Sequence, residues 1–220
     1  MLGQKSVPAL SFYEGVIRLS DHYYTKKPTS KSAEVTWPFQ LKGKEFRFTT
    51  DTGVFSKNTV DFGSRLLIDS FEYPQGLTGP VLDLGCGYGP IGLSLASEYP
   101  EVVVNMVDVN ERALELSRRN AQDNGIENVD IYASSIYENV SPDKYFSAVV
   151  TNPPIRAGKQ VVHQMLSESY DYLEKQGTLT VVIQRKQGAP SAQKKMLEVF
   201  GNAEVIARDK GYWIIQSIKN

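Results

Sequence analysis

A chain of 220 residues that is 41% hydrophobic, with a net charge of −1, fits one domain with a sizeable core and excludes a strongly basic or acidic polymer-binding protein, although a local basic face can still serve a nucleic acid. The single cysteine, Cys86, excludes internal disulfides and cysteine metal clusters, and the two histidines, His22 and His163, give no metal-ligand spacing, so no metal is expected. No apolar run approaches the ~20 residues of a membrane span, and the start of the chain has too short an apolar core for a secretory signal, so a cytoplasmic protein with no membrane partner is expected.

Residues 1–20 connect poorly to the pattern after them and read as an extension or leader. The next stretch, 22–32, is polar, with Lys26, Lys27 and Lys31 beside Tyr23 and Tyr24. It reads as a solvated linker or as an arm that touches phosphates. Val35, Trp37, Phe39 and Leu41 alternate, Lys42-Gly43 turns, and Phe46 and Phe48 alternate again, which predicts a β-hairpin. Val60, Gly63, Leu67 and Phe71 recur at helical spacing. Strands are then predicted at 81–84, 102–107, 129–132, 145–150 and 179–183. Between them, Ile91, Leu95 and Tyr99 mark one helix, and Asn110 caps another through Asn120. Val162, Met165, Leu166, Ser169 and Leu173 mark a further helix, and Met196, Leu197 and Phe200 the last. Residues 204–208 and 212–218 close the chain as a hairpin around Lys210-Gly211. Alternating β and α units imply a parallel sheet covered on both faces, with one antiparallel strand added by the terminal hairpin.

The turn after the strand at 81–84 reads Gly85-Cys86-Gly87-Tyr88-Gly89-Pro90. Gly85 and Gly87 allow a sharp turn and let a ligand touch backbone, and Pro90 suits a first helical turn. A dinucleotide loop wants Gly-x-Gly-x-x-Gly, whose last position is here Pro90. Asp83 lies inside the strand, where a buried carboxylate needs a partner. A cationic amino-acid group on a ligand suits it and a pyrophosphate does not, which favours S-adenosylmethionine over nicotinamide or flavin cofactors. Asp108 ends the next strand, where an acidic side chain reaches ribose hydroxyls. Ser135, after the third strand, is a candidate for the adenine edge.

Thr151-Asn152-Pro153-Pro154-Ile155 follows the fourth strand. Two prolines remove two backbone donors and fix two φ angles, and Pro153 pushes Asn152 out of helical space. The expected product is a rigid ledge bearing one amide side chain and exposed carbonyls, able to hold a planar amine through both N–H groups.

Asp83-Leu-Gly85-Cys-Gly87-Tyr-Gly89, Asp108 and Asn152-Pro-Pro-Ile155, in that order and spacing, resemble the class I S-adenosylmethionine-dependent methyltransferases. With Gly53-Val-Phe-Ser56, Asp61-Phe-Gly63-Ser64 and the run to Gly158-Lys159, the chain looks like the small-subunit ribosomal RNA guanine 2-amino methyltransferases of type C, in a single-domain form. The resemblance implies an α/β fold: a Rossmann-like, seven-stranded, mostly parallel sheet with helices on both faces, a terminal antiparallel hairpin and a small N-terminal β-hairpin. It divides the chain into an extension or leader (1–21), a polar tail and hairpin appendage (22–58) and a methyltransferase domain (59–220). It implies that Asp83, Gly85, Cys86, Gly87, Asp108, Val109, Ser135 and Asn152 surround the cofactor. Asn152, Pro153 and Pro154 would form the catalytic ledge, and Phe55, Ile155, Arg156 and Lys159 would meet the substrate. Relatives can carry a second, degenerate half, for which 220 residues leave no room. Many amino methyltransferases stack the base on an aromatic after Pro-Pro; here that residue is Ile155, so Phe55 or the loop after Pro154 must supply the platform. An Asp or Asn is common where this chain has Ser135.

The expected partner is ribosomal RNA or the small ribosomal subunit, with the monomer favoured. Arg156 and Lys159 follow the ledge, and Arg185 and Lys186 are further candidates for phosphate contacts. His163 reads as structural. Other readings are methylation of a protein glutamine amide or an adenine amino group, a non-catalytic RNA-binding assembly factor, and nicotinamide-dependent redox chemistry.

Overall fold

The computed structural model describes residues 32–54, 56, 58–143 and 145–220. Strands β1 (Val35–Leu41) and β2 (Lys44–Thr50) form a separate two-stranded hairpin. Its turn residues, Lys42 and Gly43, both have positive φ (48° and 77°), the backbone that matches the twist of a two-residue hairpin. Leu41, Phe46 and Phe48 are buried in the same apolar cluster as the helices beneath, so the hairpin shares the main core. Buried Asn120 fastens it: Oδ1 accepts from Thr49 N–H (2.7 Å), and Nδ2 donates to the carbonyls of Thr49 (3.0 Å) and Tyr88 (2.9 Å).

Helix α1 (Phe62–Ser70) starts at Asp61, whose carboxylate accepts from Ser64 N–H. Then follow β3 (Val81–Leu84), α2 (Pro90–Glu98), β4 (Val104–Asp108), α3 (Glu111–Asp123), β5 (Val129–Ala133) and β6 (Phe146–Thr151). A short 3-10 turn (Ile155–Ala157) leads into α4 (Lys159–Tyr172), β7 (Leu173–Gln184), a second 3-10 turn (Arg185–Gln187), α5 (Ala189–Phe200), β8 (Glu204–Asp209) and β9 (Tyr212–Ile218). The seven strands from β3 onward lie in the order β5-β4-β3-β6-β7-β9-β8. Neighbours are parallel from β5 across to β7, and β9 runs antiparallel to both β7 and β8. One apolar cluster joins α1, α2, α3 and the hairpin to one face of the sheet; another joins α4 and α5 to the other.

This is the expected seven-stranded α/β arrangement with its terminal hairpin. From β3 the chain steps outward to β4 and β5 and then returns to β6 on the other side of β3. The carboxyl ends of β3 and β6 therefore flank the point where strand order reverses, the place where open α/β sheets bind ligands.

Several local expectations are corrected. Leu173 begins β7 rather than closing the helical face, because the backbone turns extended at the C-cap of α4. Leu197 is 52% exposed, since the buried face of α5 is carried by Ala192, Met196 and Phe200. Tyr145 precedes its strand and is exposed, and β4 starts at Val104 rather than Val102. Lys26, Lys27, Lys31, Tyr23, Tyr24 and Phe55 lie outside the described residues.

Candidate active site

The Gly-rich turn splits into two halves with different work. Gly89 and Gly92 face inward. A Cβ on Gly92 would come within 2.8 Å of Met106 Sδ, and one on Gly89 within 2.8 Å of Ser117 Oγ. Their bare backbones let the start of α2 lie close against β4 and α3. Gly85 and Gly87 face outward: a Cβ on Gly87 would meet nothing within 4 Å, and one on Gly85 only Met165 Cε at 3.9 Å. Both have positive φ (81° and 58°), which L side chains adopt poorly. They leave an open cradle at the carboxyl end of β3. Gly85 and Cys86 N–H both donate to the Val107 carbonyl, pinning the turn to β4. The Cys86 thiol is buried beneath, its pKa pushed up by burial and by the charges of Asp108 and Asp83. Cys86 thus shapes the turn from inside rather than presenting its thiol to the crevice.

Two carboxylates underlie the cradle. Asp83 is wholly buried; Oδ2 accepts from Gly92 N–H (2.8 Å), and Oδ1 has no hydrogen-bond partner among the described residues. Burial pushes its pKa up to about 7, Asp108 adds to the rise and the Gly92 N–H opposes it. Asp108 is half-buried at the end of β4, accepting from Gly87 N–H at 2.9 Å and Asn110 N–H at 2.8 Å, and burial raises its pKa too. Val109 follows it, half-buried, and Ser135 stands exposed just past β5, beside Ser134, whose N–H donates to the Asp108 carbonyl. Asp83, Gly85, Gly87, Asp108, Val109 and Ser135 are therefore collected along one sheet edge. An orphaned buried carboxylate oxygen under bare glycine backbone fits a ligand with a cationic group and a hydroxyl-bearing ring, as S-adenosylmethionine has. Among the described residues no cluster of His, Cys, Asp and Glu could hold a metal ion, and no helix is long and apolar enough to cross a membrane.

The ledge stands next to the cradle because Thr151 Oγ1 donates to the Leu84 carbonyl at 2.7 Å, tying the ends of β6 and β3. Asn152 is half-buried, Pro153 buried and Pro154 half-buried. The Asn152 Nδ2 group donates to Asp61 Oδ1 (3.2 Å) and to Ser64 Oγ (3.0 Å). A carboxylate only accepts hydrogen bonds, so Asp61 fixes which end of the amide is nitrogen. Oδ1 of Asn152 accepts from no described residue and is left at the ledge as an acceptor. Asp61 and Ser64 carry part of the sequence resemblance, yet nothing in their spacing shows that they meet a residue 91 and 88 positions away.

The other expected substrate residues are spread apart. Ile155 packs against the cluster on the α4–α5 side of the sheet and lines a cavity of about 270 Å³ with Val162, Ile183, His163 and Ser191. Arg156 and Lys159 are exposed beyond the ledge. His163 pairs its Nε2 with Ser191 Oγ at 3.1 Å; burial, helped by Lys159 and Lys195, lowers its pKa, consistent with a structural role.

Residues 45–216 match the methyltransferase small domain family. The uncharacterized protein YbxB of Bacillus subtilis (strain 168) is 55% identical over 201 residues, covering 91% of this chain and 100% of that protein. Ribosomal RNA small subunit methyltransferase C of Aeromonas hydrophila is 36% identical over 170 residues, or 75% of this chain and 47% of that one. The solved structure of the T. thermophilus 16S rRNA N2 methyltransferase RsmC, in complex with AdoMet and guanosine, superposes with a TM-score of 0.76 at 25% identity, covering 88% of this chain and 52% of that one. The chain thus spans about half the length of these two named methyltransferases. A family match over most of the sequence, on a fold whose cradle suits that cofactor, makes this chain a member of the methyltransferase small domain family and an S-adenosylmethionine-dependent methyltransferase.

Proposed function

We propose that this protein methylates the exocyclic 2-amino group of a guanine in ribosomal RNA of the small subunit. The observation that carries the reading is the Asn152 amide, whose nitrogen is held by Asp61 and Ser64 and whose oxygen is uncommitted beside the glycine cradle. Two relatives named as ribosomal RNA methyltransferases, one solved with guanosine, support the nucleobase as target.

Asp83, Gly85, Gly87, Asp108, Val109 and Ser135 would hold S-adenosylmethionine, which supplies a methyl group on a positively charged sulfur. An exocyclic amine is a poor nucleophile because its lone pair is delocalised into the ring. Asn152 Oδ1 and the Pro153 carbonyl each accept one of its N–H groups. Two acceptors set off the plane of the base draw the nitrogen toward tetrahedral geometry and free its lone pair. Pro153 and Pro154 keep the two acceptors at a fixed separation, since neither φ can relax. Asp61 and Ser64 act through Asn152 by holding its amide the right way round. Positioning of this kind can supply roughly 7–11 kcal/mol of a barrier. Asp83 and Asp108 in their ionised forms would make the crevice floor negative, which a cationic ligand favours.

The test is incubation with methyl-labelled cofactor and either ribosomal RNA or cell protein, followed by mass spectrometry of the RNA nucleosides. Label in N2-methylguanosine is expected. Label confined to protein would replace this reading with glutamine amide methylation, which uses the same ledge.

A further inference from the structure

We infer that Tyr212, backed by Phe62 and flanked by Lys210, forms the wall on which the target nucleotide stacks. This rests on the proposed function and names the residues that read its substrate. The ledge lacks an aromatic of its own, and Ile155 is turned into the cluster on the α4–α5 side. The Asn152 amide instead engages α1, on the opposite face of the sheet. A base held by Asn152 therefore needs its flat contact on the α1 side.

Tyr212 is there. The Cβ that Gly63 lacks would lie 3.0 Å from Tyr212 Cε1 and 3.2 Å from Asp61 Oδ1, the oxygen that holds Asn152. Tyr212 belongs with the α1-side cluster, whereas its neighbour Trp213 belongs with the other. The sheet also rises past the ledge at this point. Thr151 at the end of β6 pairs with Val181, while Tyr212 pairs with Gln184, further along β7. The half-buried ring thus stands above the ledge as a side wall. Phe62 supports it at a centroid distance of 5.6 Å. Lys210, exposed at the β8–β9 turn, carries its ammonium 4.5 Å from the Phe62 centroid. Arg65 lies on the same ring at 5.4 Å. A half-exposed aromatic beside a cation is the pairing that takes a base and its phosphate in single-stranded or flipped-out RNA.

These roles explain the run Asp61-Phe62-Gly63-Ser64 residue by residue. Asp61 orients the amide and caps α1, Phe62 backs the wall, Gly63 admits the Tyr212 ring, and Ser64 takes the second amide hydrogen.

The experiment measures KM for ribosomal RNA, cofactor affinity by calorimetry and melting temperature for the wild type, Tyr212→Phe, Tyr212→Leu and Lys210→Gln. It adds the fluorescence of an unstructured oligoribonucleotide containing 2-aminopurine, a base with the same exocyclic amine that is quenched by stacking. Tyr212→Phe should match the wild type. Tyr212→Leu should raise KM by roughly ten- to hundredfold and lose the quenching, with cofactor affinity unchanged. Lys210→Gln should raise KM severalfold and flatten its salt dependence. A wild type that methylates RNA alongside a Tyr212→Leu variant with unaltered KM and quenching overturns the wall and leaves the proposed function standing. Should Tyr212→Leu not fold, an unaltered KM and salt dependence in Lys210→Gln overturns it. A wild type that methylates no RNA removes the proposed function and this inference together.

Discussion

Replacing Asp61 by Asn and by Ala probes two jobs that one carboxylate oxygen performs. Its Oδ1 accepts from Ser64 N–H at 3.0 Å, capping α1, and from Asn152 Nδ2 at 3.2 Å. Asn caps a helix about as well as Asp, so stability should change by a few tenths of a kcal/mol. The hold on Asn152 uses the same oxygen. The Ser64 N–H only donates, so it keeps the oxygen of an Asn at 61 on that side, and Asn152 Nδ2 still meets an acceptor, now an uncharged one. A hydrogen bond to a charged group contributes about 1.5–3 kcal/mol and a neutral one about half of that, so kcat should fall only roughly three- to tenfold. KM for S-adenosylmethionine should stay as it is, because the Gly85–Gly87 cradle and Asp108 do not touch Asp61. Asp61→Ala, which removes the carboxylate acceptor from the Asn152 amide, should lower kcat roughly ten- to hundredfold, together with about 1 kcal/mol of destabilisation from the missing cap. Single-turnover methyl transfer to ribosomal RNA, with urea unfolding in parallel, measures both. Wild-type kcat in folded Asp61→Ala would refute the orienting role and leave only the cap.

Cofactor binding should be linked to pH. Burial holds the Asp83 pKa up to about 7, well above its unfolded value of 3.8, so the folded apo protein keeps a proton there that the unfolded chain loses. That contribution to stability is full at low pH and is lost as pH rises from about 4 through 7. A cationic ligand favours the ionised form, so affinity should weaken by up to about tenfold per unit below pH 7 and level off above it, with a proton released on binding near neutrality. Calorimetry in buffers of different ionisation enthalpy checks this, and a flat affinity with no proton release contradicts it. Asp108→Ala should weaken cofactor binding and slacken the turn, because Gly87 N–H loses its acceptor; an unchanged dissociation constant would remove Asp108 from the site. Gly89→Ala forces a Cβ to within 2.8 Å of Ser117 Oγ at a φ of 100°, and should destabilise by about 1–3 kcal/mol in urea unfolding. Gly125→Ala, with φ 63° but nothing within 4 Å, should cost about 1 kcal/mol, so equal effects would show that the close approach of Ser117 on α3 is not what constrains Gly89.

The fold was legible because each element carries its own period. Leu82 and Leu84 face one side of β3 while Val81 and Asp83 face the other, and the helices return apolar residues at helical spacing. Turn glycines mark the boundaries. The cradle and Asp108 were legible for the same reason: strand, turn and helix stand next to one another in sequence. The direction of Asp83 was not, because alternation along a strand buried on both faces does not say whether a side chain meets helix backbone or ligand. Its first partner is Gly92 N–H, nine residues on. The hold of Asp61 and Ser64 on Asn152 was out of reach because it depends on the sheet placing β6 beside the start of α1. Tyr212 is a similar case. It reads as an ordinary strand residue until β9 lies antiparallel to β7 and brings it back to the carboxyl edge. Asn120 likewise shows nothing in sequence of the three bonds by which it fastens the hairpin.

The most direct test compares the wild type with Asn152→Ala in two measurements on the same preparations: cofactor affinity by calorimetry, and N2-methylguanosine formed in ribosomal RNA by nucleoside mass spectrometry. Near-equal affinity for S-adenosylmethionine and no methylguanosine from the variant are expected. Methylguanosine formed by Asn152→Ala at the wild-type rate would contradict the claim that this amide grips the target amine.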